Sequence, residues 1–341
     1  MAETTSTIQL PDPSQLMVSN SPHIRDNQSI SKIMFTVILA LLPACLAGIW
    51  FFGFAALKVL LVTTLSCVLL EEGWNKLNKR ASTWKDGSAI LTGILLGMNL
   101  NAGMPWWVCV LGAVLAIILA KQLFGGLGYN PFNPALVARV GLLIGFPAIM
   151  TTWNVPQSGK FLADAVTAAT PLGEGATPAA LTSLFTGNVG GCVGETSVIA
   201  LLIGGAILLW KKLIKWEIPV AYIGSVFLIT AIPYILNHHG IHILRGDAIP
   251  HSPIYHVLSG GLLLGAFFMA TDMVTTPMTR KGALIFGLGC GVMTSLIRLW
   301  GAYPEGVSFS ILFMNALTPL IDRVTISKPF GYVAPKKGET K

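Results

Sequence analysis

About ten apolar stretches, separated by short polar connections, restrict this chain to folds that cross a membrane. A hydrocarbon core about 30 Å thick needs about 20 predominantly apolar residues per helix. Only 11% of the 341 residues are charged and 53% are hydrophobic, whereas soluble domains carry about 25% charged residues. A soluble protein of this composition could not cover its surface with polar groups. The sequence therefore predicts an all-α, polytopic membrane protein.

The connections between the apolar stretches predict the orientation of the chain. The expected spans are residues 33–50, 54–70, 88–100, 106–123, 135–150, 193–210, 218–236, 257–273, 283–300 and 308–321. Basic side chains follow the even-numbered spans, at Lys76, Lys79, Arg80, Lys85, Lys211, Lys212, Lys215, Arg280, Lys281, Arg323, Lys328, Lys336, Lys337 and Lys341. The long connection after span five contains a single basic residue, Lys160. By the positive-inside rule, both termini are expected in the cytoplasm, and the net charge of +7 reflects orientation rather than nucleic-acid binding.

The chain also reads as two related halves. The segment SAILTGILLGMNL (88–100) resembles LSGGLLLGAFFMATD (258–272), and FNPALVARV (132–140) resembles FMNALTPLIDRV (313–324). The offset is about five spans, so the halves are predicted to be inverted repeats with broken half-helices near the midplane. The expected boundaries are a cytoplasmic segment 1–30, a first repeat 31–152, an extracytoplasmic loop 153–192, a second repeat 193–322 and a basic tail 323–341.

The loop between the predicted halves contains the most informative segment, DAVTAATPL (164–172). Read from its residues alone, it is either a solvated turn or a modification site, because a hydroxyl flanked by small residues is accessible to an enzyme. The segment resembles the flavin-attachment motif of bacterial membrane flavoproteins, Asp-x-x-Ser/Thr-Gly-Ala-Thr. Asp164, Thr167, Ala169 and Thr170 match it, whereas Ala168 stands where glycine is usual. The resemblance implies that Thr170 carries FMN through the phosphate.

Further motifs extend this resemblance from residue 21 to residue 330. They are SPHIRD, KQLFGGLGYNPFNPALVAR, GETS, FMATDMVTTP and YPEGVSFSILFMNALTPLID. They resemble the family that contains the D subunits of Rnf electron-transport complexes and the B subunits of sodium-pumping NADH:quinone reductases. The short polar segment before the first span fits the Rnf members better.

The resemblance carries several expectations about function. It implies a flavoprotein subunit of the bacterial inner membrane that takes part in redox-driven Na+ or H+ translocation between ferredoxin and NAD. The FMN on Thr170 is expected on the periplasmic side, and a second, noncovalent flavin (riboflavin in the related reductase) is expected deeper between the repeats. The implied partners are the A, B, C, E and G subunits of the Rnf complex, membrane lipid and a flavin transferase. Nicotinamide and ferredoxin chemistry is expected on partner subunits, because this chain has no Rossmann or iron–sulfur cysteine motif.

Polar residues inside the apolar spans are the candidates for an ion or second-flavin pathway. They are Asp272, Thr271, Thr275, Asn133, Asn315 and Glu195. Asp272 lies at the end of a predicted half-helix, where neighbouring threonines could supply oxygen ligands to Na+. A helix cap is the structural alternative for Glu195, and snorkelling or a local ion pair is the alternative for Arg139 and Arg298.

Other function classes are less well supported by the sequence. The glycine-rich segment 124–139 lacks the GxxxxGK[ST] pattern of a phosphate-binding loop. The five cysteines form no CxxC pair, and no metal site is predicted. A secondary transporter or channel of the urea-transporter type, or a passive scaffold for redox partners, would also suit broken helices. Neither of these classes needs a flavin-attachment motif.

Overall fold

The computed structural model describes residues 28–156, 167–168, 172, 179–239, 252–301 and 305–326. These residues are mostly helical. The helices are α1 (Ile30–Leu77), α2 (Ser88–Met98), α3 (Trp106–Val114), α4 (Pro134–Gly145), α5 (Pro147–Met150), α6 (Leu181–Thr186), α7 (Val198–Trp210), α8 (Glu217–His238), α9 (Pro253–Leu258), α10 (Leu262–Leu264), α11 (Arg280–Trp300) and α12 (Val307–Thr325). Two π-helical segments, Leu115–Gln122 and Gly265–Met269, continue α3 and α10. Strands β1 (Trp153–Asn154) and β2 (Thr167–Ala168) form an antiparallel ribbon.

Helix α1 is a hairpin of two helices. Its backbone leaves the helical conformation at Gly53, where φ is +63° and ψ is −143°, a geometry that favours glycine because it has no Cβ. Each arm is about 35 Å long at 1.5 Å per residue, enough to cross a bilayer. The two arms return to the same end of the bundle, because the start of one and the end of the other contact the same short segment. Ser31, at the start of the first arm, donates to the carbonyl of Lys85, and Asn75, near the end of the second arm, donates to the hydroxyl of Thr83. The predicted break between spans one and two therefore lies at Gly53.

Among the described residues, four helices are long and apolar enough to cross a membrane, namely α1, α8, α11 and α12. Four shorter apolar helices, Ser88–Met98, Trp106–Gln122, Pro134–Gly145 and Val198–Trp210, lie among them. Helix α2 has 11 residues and is therefore only about 16 Å long, which is half of a bilayer crossing. The prediction of a helical membrane protein is confirmed at this level.

Three predicted spans are not single helices. The fifth span (135–150) ends at Gly145, because Pro147 cannot donate a backbone hydrogen bond within a continuing helix. The sixth span (193–210) begins as a 3-10 turn, and its α-helix starts only at Val198. The eighth span (257–273) breaks between α9 and α10, where Gly260 and Gly261 both have φ of +66°.

Close helix contacts rely on small residues, as is common where helices pack in a membrane. A side chain at Gly93 of α2 would place its Cβ 2.5 Å from the Thr64 Cα of α1. A Cβ at Gly291 of α11 would lie within overlap distance of the Ser225 hydroxyl on α8. These positions allow the α1–α2 and α8–α11 pairs to approach closely.

One end of the bundle, called here the basic end, contains the contacts of two lysine-bearing connections. Ser31 at the start of α1 donates to the carbonyl of Lys85, and Lys215 donates to two backbone carbonyls of the turn before α11. Both connections lie at the same end of the bundle, because Ser88 and Ile214, which are close to these contacts in the sequence, line the same cavity. The opposite end, called the ribbon end, carries β1 and β2.

Candidate functional site

A buried group of polar side chains, called here the Arg139 cluster, lies toward the ribbon end. The Arg139 guanidinium on α4 donates to Asn99 Oδ1 (2.8 Å), contacts the Glu305 carboxylate directly and lies 3.5 Å from Glu195 Oε1. It also lies 3.5 Å from Cys192 Sγ. Oxygen or sulfur atoms of Cys192, Glu195 and Glu305 come within 4.8 Å of one another. Arg139 already supplies the positive charge among these potential ligands.

A second arginine fixes the backbone around this cluster. The Arg298 guanidinium on α11 donates to the carbonyls of His256, Ser259 and Gly260, and its Nε donates to the carbonyl of Glu305. It therefore ties together the break between α9 and α10 and the entry to α12. With two guanidinium groups and two carboxylates, the region is electrically balanced, which limits the cost of burying its charges.

A small cavity adjoins the Arg139 cluster. This ribbon-end cavity has a volume of about 10 Å³ and is lined by Leu172, Leu184, Val189, Gly190, Gly191, Glu195, Leu258, Ser259, Gly260 and Glu305. It is therefore about the size of one water molecule.

A junction of amides connects the Arg139 cluster to the middle of the bundle. Asn99 donates to the carbonyl of Leu95 and contacts the Met269 sulfur at 3.6 Å. Asn133 Nδ2 donates to the carbonyl of Met269 (3.3 Å), while its Oδ1 caps the first turn of α4. With its amide oriented to satisfy both atoms, Asn315 accepts from the Asn133 backbone N–H and donates to the carbonyl of Thr275. Residues that are distant in the sequence therefore meet in the middle of the bundle.

Asp272 follows this junction, directly after the second π-helical segment. Its carboxylate accepts from the Val274 N–H (3.5 Å) and from the Thr275 hydroxyl (3.3 Å), and the Thr276 hydroxyl donates to its carbonyl. The Thr271 hydroxyl donates back into the helix, to the carbonyl of Phe267. Within the described part of the chain, no arginine or lysine forms an ion pair with Asp272. Its negative charge is therefore held only by neutral donors.

Asp272 lines a second cavity, of about 110 Å³, called here the basic-end cavity. Most of the wall is apolar, with side chains such as Leu91, Leu95, Phe267 and Phe268. The polar lining groups are Ser88, Thr92, Lys121, Asn130, Asn133, Thr271 and Asp272. A mostly apolar wall with a few polar groups is typical of protein sites for organic ligands.

The lysine on the cavity wall is fixed by a buried ion pair. Lys121 Nζ lies 2.7 Å from Glu71 Oε2 and donates to the Ser88 hydroxyl at 2.8 Å. The other Glu71 oxygen accepts from Thr83, which in turn accepts from Asn75. Both charged side chains are almost fully buried. The pair joins the second arm of α1, the π-helical end of α3 and the first residue of α2.

The predicted flavin segment is mostly outside the described residues. Asp164, Ala169 and Thr170 are not among them, and the structure describes Thr167 only as part of β2, where it pairs with Asn154. Leu172, two residues after Thr170, lines the ribbon-end cavity. The attachment of FMN at Thr170 stays a prediction.

The predicted pathway residues fall into two connected groups. Asp272, Thr271 and Asn133 line the basic-end cavity, and Asn315 and Thr275 adjoin them. Glu195 lies apart, in the Arg139 cluster. It does not cap α7, because that role belongs to Ser197, whose side chain accepts from the Ala200 N–H. Arg139 does form ion pairs, as one of its alternatives predicted, and its partners Glu195 and Glu305 are distant in the sequence.

Three charged residues of these sites were not predicted as site residues. Glu71, Lys121 and Glu305 lie at the edges of apolar runs, where a solvent-exposed position would have been equally reasonable. For Lys121 and Glu305 a signal existed, because both belong to segments of the family resemblance, KQLFGG and YPEG. Their partners lie 50 and 166 residues away, so no local spacing could reveal them.

Together, the membrane-length helices, the broken half-helices and the polar residues that connect two internal cavities define an integral membrane protein of the transport class. Comparison with known proteins makes the assignment specific. Residues 17–331 match the model of the NQR2, RnfD, RnfE family. The chain belongs to this family.

Similar proteins from other organisms cover nearly the whole chain. One is the D subunit of the proton-translocating ferredoxin:NAD(+) oxidoreductase complex of Clostridium ljungdahlii, which is 46% identical over 328 residues, or 92% of this chain and 96% of the relative. Another is the D subunit of the Na(+)-translocating ferredoxin:NAD(+) oxidoreductase complex of Acetobacterium woodii, which is 45% identical over 94% of this chain and 97% of the relative. The D subunit of the ion-translocating oxidoreductase complex of Stutzerimonas stutzeri is 40% identical over 89% and 92%.

Proposed function

We propose that this chain is the D subunit of an Rnf-type complex of the bacterial inner membrane, which couples electron transfer between ferredoxin and NAD to the movement of Na+ or H+. The observation that carries this proposal is a series of polar residues through an otherwise apolar bundle. It runs from the Arg139 cluster through Asn99, Asn133 and Asn315 to Asp272. Polar groups at membrane depth are expensive and mark ion or cofactor pathways.

The proposed arrangement in the membrane has ten spans in two inverted repeats, with both termini in the cytoplasm. The basic end would then face the cytoplasm, in agreement with the positive-inside rule. A reporter enzyme fused after Lys212 should be active in the cytoplasm, and one fused at Gly173 should be active outside. If both fusions report the same side, the ten-span arrangement is wrong.

The proposed cofactor of the ribbon end is FMN, bound covalently to Thr170. A flavin supplies one-electron chemistry, and the protein supplies attachment, orientation and the surrounding charges. A covalent tether keeps the flavin at high effective concentration, so affinity is not needed to retain it. Leu172, the described residue two positions after Thr170, lines the ribbon-end cavity together with Glu195 and Glu305.

The attachment is tested by removing the Thr170 hydroxyl in the complex from its native host. Wild-type protein on a denaturing gel should show flavin fluorescence, and intact-protein mass spectrometry should show the mass of FMN less one water. Thr170→Ala should lose both signals, whereas Thr167→Ala keeps them, because Thr167 does not occupy the last position of the motif. Persistent fluorescence in Thr170→Ala would place the attachment elsewhere.

A second, noncovalent flavin is proposed for the basic-end cavity. The mostly apolar wall of this cavity suits a flat aromatic ring. Asn130, Asn133 and Thr92 provide side-chain groups that can hydrogen-bond its polar edge, and Asp272 adds a carboxylate. Extraction of the purified complex under denaturing conditions should release riboflavin or another free flavin. Leu95→Trp, which fills the cavity, should reduce the released flavin while leaving the fluorescent band of the Thr170 flavin unchanged.

The partners of the chain would be the A, B, C, E and G subunits of the Rnf complex, together with a flavin transferase for maturation. The ion is assigned to the Asp272 turn, where the carboxylate, the threonine hydroxyls and the backbone carbonyls are the hard oxygen ligands that Na+ prefers. A proton could occupy the same carboxylate. Na+ dependence of electron transfer in the purified complex, measured at fixed pH, separates these two ions.

A further inference from the structure

A third cavity, called here the Lys215 cavity, lies at the basic end beside the connection between α7 and α8. It has a volume of about 240 Å³, well above the roughly 10–15 Å³ that one water molecule needs. It opens at the surface, because Met273 and Met278, which line it, are 52% and 84% exposed. The other lining residues are Leu213, Ile214, Lys215, Ile218, Thr271, Thr276 and Pro277.

Lys215 is the charged residue among those that line this cavity. Its ammonium donates to the carbonyls of Pro277 (2.8 Å) and Met278 (2.7 Å). Within the described part of the chain, no carboxylate forms an ion pair with it. An ammonium has three N–H donors. The two neutral carbonyls therefore hold the group in place and leave its charge and one donor for a further partner.

The surface around this cavity is positive as well. Exposed basic side chains lie in the connection before α8 and in the first turn of α11, namely Lys211, Lys212, Arg280 and Lys281. Two acids are close to them. Glu217 is buried 3.5 Å from Arg280, and Asp322 accepts from the Met278 N–H. Because the basic groups outnumber these acids, an anionic partner is complementary to this side of the basic end.

The backbone of the connection places one of these lysines at an unusual position. At the end of α7, the Lys212 N–H bonds to the carbonyl of Leu209, and the Leu213 N–H bonds to the carbonyl of Leu208. The left-handed position of such a helix end is usually glycine, but here Lys212 occupies it with φ of +54°. The turn leads the chain directly into the cavity wall at Leu213 and sets a positive charge next to it.

Two exposed tryptophans place this cavity near the surface of the membrane. Trp210 and Trp216 flank the connection, and the Lys211 ammonium lies 5.4 Å from the centre of the Trp210 ring. Tryptophan is enriched where lipid head groups meet the acyl chains, and lysine reaches the same level with its charged end. The cavity therefore combines a fixed cation with an apolar wall at this level, which is the chemistry that an anionic amphiphile requires.

We propose that the Lys215 cavity binds an anionic phospholipid, with the phosphate beside the Lys215 ammonium and the first part of an acyl chain against Leu213, Ile218 and Met273. An acidic protein surface would match the charge but would leave the apolar wall uncovered. In the proposed orientation the site lies in the cytoplasmic leaflet, whose lipids give it a negative surface potential. The binding itself depends on neither the flavin nor the ion proposed above.

The bound lipid would also cover one wall of the basic-end cavity. Leu213, Ile214, Thr271 and Met273 line both cavities and thus form the partition between them. An acyl chain on one side of this partition shields the other side from water. Asp272 lines the basic-end cavity, so the lipid contributes to the separation of this carboxylate from the solvent at the membrane surface.

The first test uses photoreactive lipids and the unaltered protein. The purified complex is placed in phosphatidylcholine vesicles with a trace of probe, which is either phosphatidylglycerol or phosphatidylcholine with the same photoreactive acyl chain. Labelled peptides are mapped by mass spectrometry. At residues 211–218 and 271–279, the anionic probe should label about fivefold more or better, because each lysine or arginine near an anionic lipid contributes about 1 kcal/mol. Residues 227–236 of α8, whose exposed side chains are mainly apolar, should show no such preference. Equal labelling by both probes at the cavity would overturn the proposal.

The second test removes the cation. Lys215→Gln should reduce labelling by the anionic probe at residues 271–279 about fivefold, and Lys215→Arg should retain it. Lys85→Gln is the matched control, because Lys85 also belongs to the basic end and lies next to an exposed tryptophan, Trp84, but does not line the cavity. An equal loss in Lys85→Gln would mean that only the overall surface charge attracts the lipid, and it would refute the site.

Two further measurements identify the occupant. Excess inorganic phosphate should not displace the anionic probe, because phosphate has no acyl chain to cover the apolar wall. Displacement would mean a site for a free anion and would contradict the proposal. Unlabelled cavity peptides in the intact complex, together with a cross-link from Lys215 to an acidic residue of another subunit, would show a protein occupant instead. If Lys215→Gln fails to assemble, the comparison of the two probes on the unaltered protein still decides.

Discussion

The two ends of the bundle bury charged groups in different ways. At the ribbon end, the Arg139 guanidinium faces the Glu195 and Glu305 carboxylates, and the Arg298 guanidinium is fixed by four backbone carbonyls. At the basic end, Lys121 and Glu71 pair with each other. Among the described residues, Asp272 has neutral hydrogen-bond donors only and lines a cavity. The first arrangement keeps its charges in place, whereas the second leaves one carboxylate available to an exchangeable partner.

This difference suits the two roles proposed for the subunit, holding a flavin and moving an ion. A tethered flavin needs a rigid environment, and a balanced network of buried charges provides rigidity because every displacement leaves a charge unpaired. A transported ion needs a site that it can leave. An acid with weak local hydrogen bonds, next to open space, meets that requirement. The following changes test this contrast in order of decreasing effect on stability.

Arg139→Met should have the largest effect. It leaves the Glu195 and Glu305 carboxylates buried without their shared cation, which typically costs about 3–5 kcal/mol. We expect a strongly lowered unfolding temperature in detergent and poor assembly of the complex. Arg280→Met is the control, since Arg280 is largely exposed and its pairing with Glu217 contributes little. Equal stability of the two variants would contradict the view that the ribbon end is a rigid network.

Lys121→Met should be somewhat less damaging and should be partly reversible. The single change leaves Glu71 buried without its cation and costs about 3 kcal/mol. The double variant, Lys121→Met with Glu71→Leu, has no buried charge left at this site. Much of the stability lost in Lys121→Met should therefore return. Thermal unfolding of the wild type, the two single variants and the double variant forms a double-mutant cycle. Additive losses in the double variant would mean that the two side chains do not act as a pair.

Gly260→Ala should have an intermediate effect of about 1–3 kcal/mol. The new Cβ meets both Leu172 and Arg298, and alanine disfavours a φ of +66°. Gly128→Ala is the matched control, because Gly128 also has a positive φ (+93°) but a Cβ there meets nothing within 4 Å. The difference between the two unfolding temperatures measures the steric contribution of the Leu172 contact. No difference would mean that Leu172 moves away freely.

Asp272→Asn should change stability least, by less than about 0.5 kcal/mol, because the residue forms only weak local hydrogen bonds. Covalent flavin and assembly should remain normal. Ion-coupled electron transfer should nevertheless fall by roughly an order of magnitude, since an amide does not carry the negative charge that attracts a cation. Ion uptake into vesicles that contain the complex is the measurement. Normal uptake by the assembled variant would remove Asp272 from the pathway.

The helices that consist of one uninterrupted apolar run were predictable from the sequence. The seventh, ninth and tenth expected spans agree with α8, α11 and α12 within a few residues, because an uninterrupted apolar run of membrane length leaves the backbone no alternative to a helix. The breaks were harder to place. Pro147 ends the fifth span early, and two consecutive glycines divide the eighth. The apolar pattern on both sides of these breaks continues, so hydropathy alone cannot detect them.

The site was only partly predictable, for a different reason. Asp272 and Asn133 could be selected because polar residues in apolar runs are conspicuous. Glu71, Lys121 and Glu305 lie at the ends of such runs, where charged residues are normal. Their importance comes from partners that the fold brings together, and a single sequence does not contain those distances. The sequence likewise could not reveal that Glu195 pairs with Arg139 instead of capping a helix, because the fold brings these two residues together.

The hairpin of α1 has a consequence for how the protein is made. Its two arms turn at Gly53 without any intervening loop, so neither arm has a stretch of polar chain at which insertion could pause. The two arms should therefore enter the bilayer together as one helical hairpin. A tag inserted at Gly53 is expected to disturb this insertion, because it would separate the two arms.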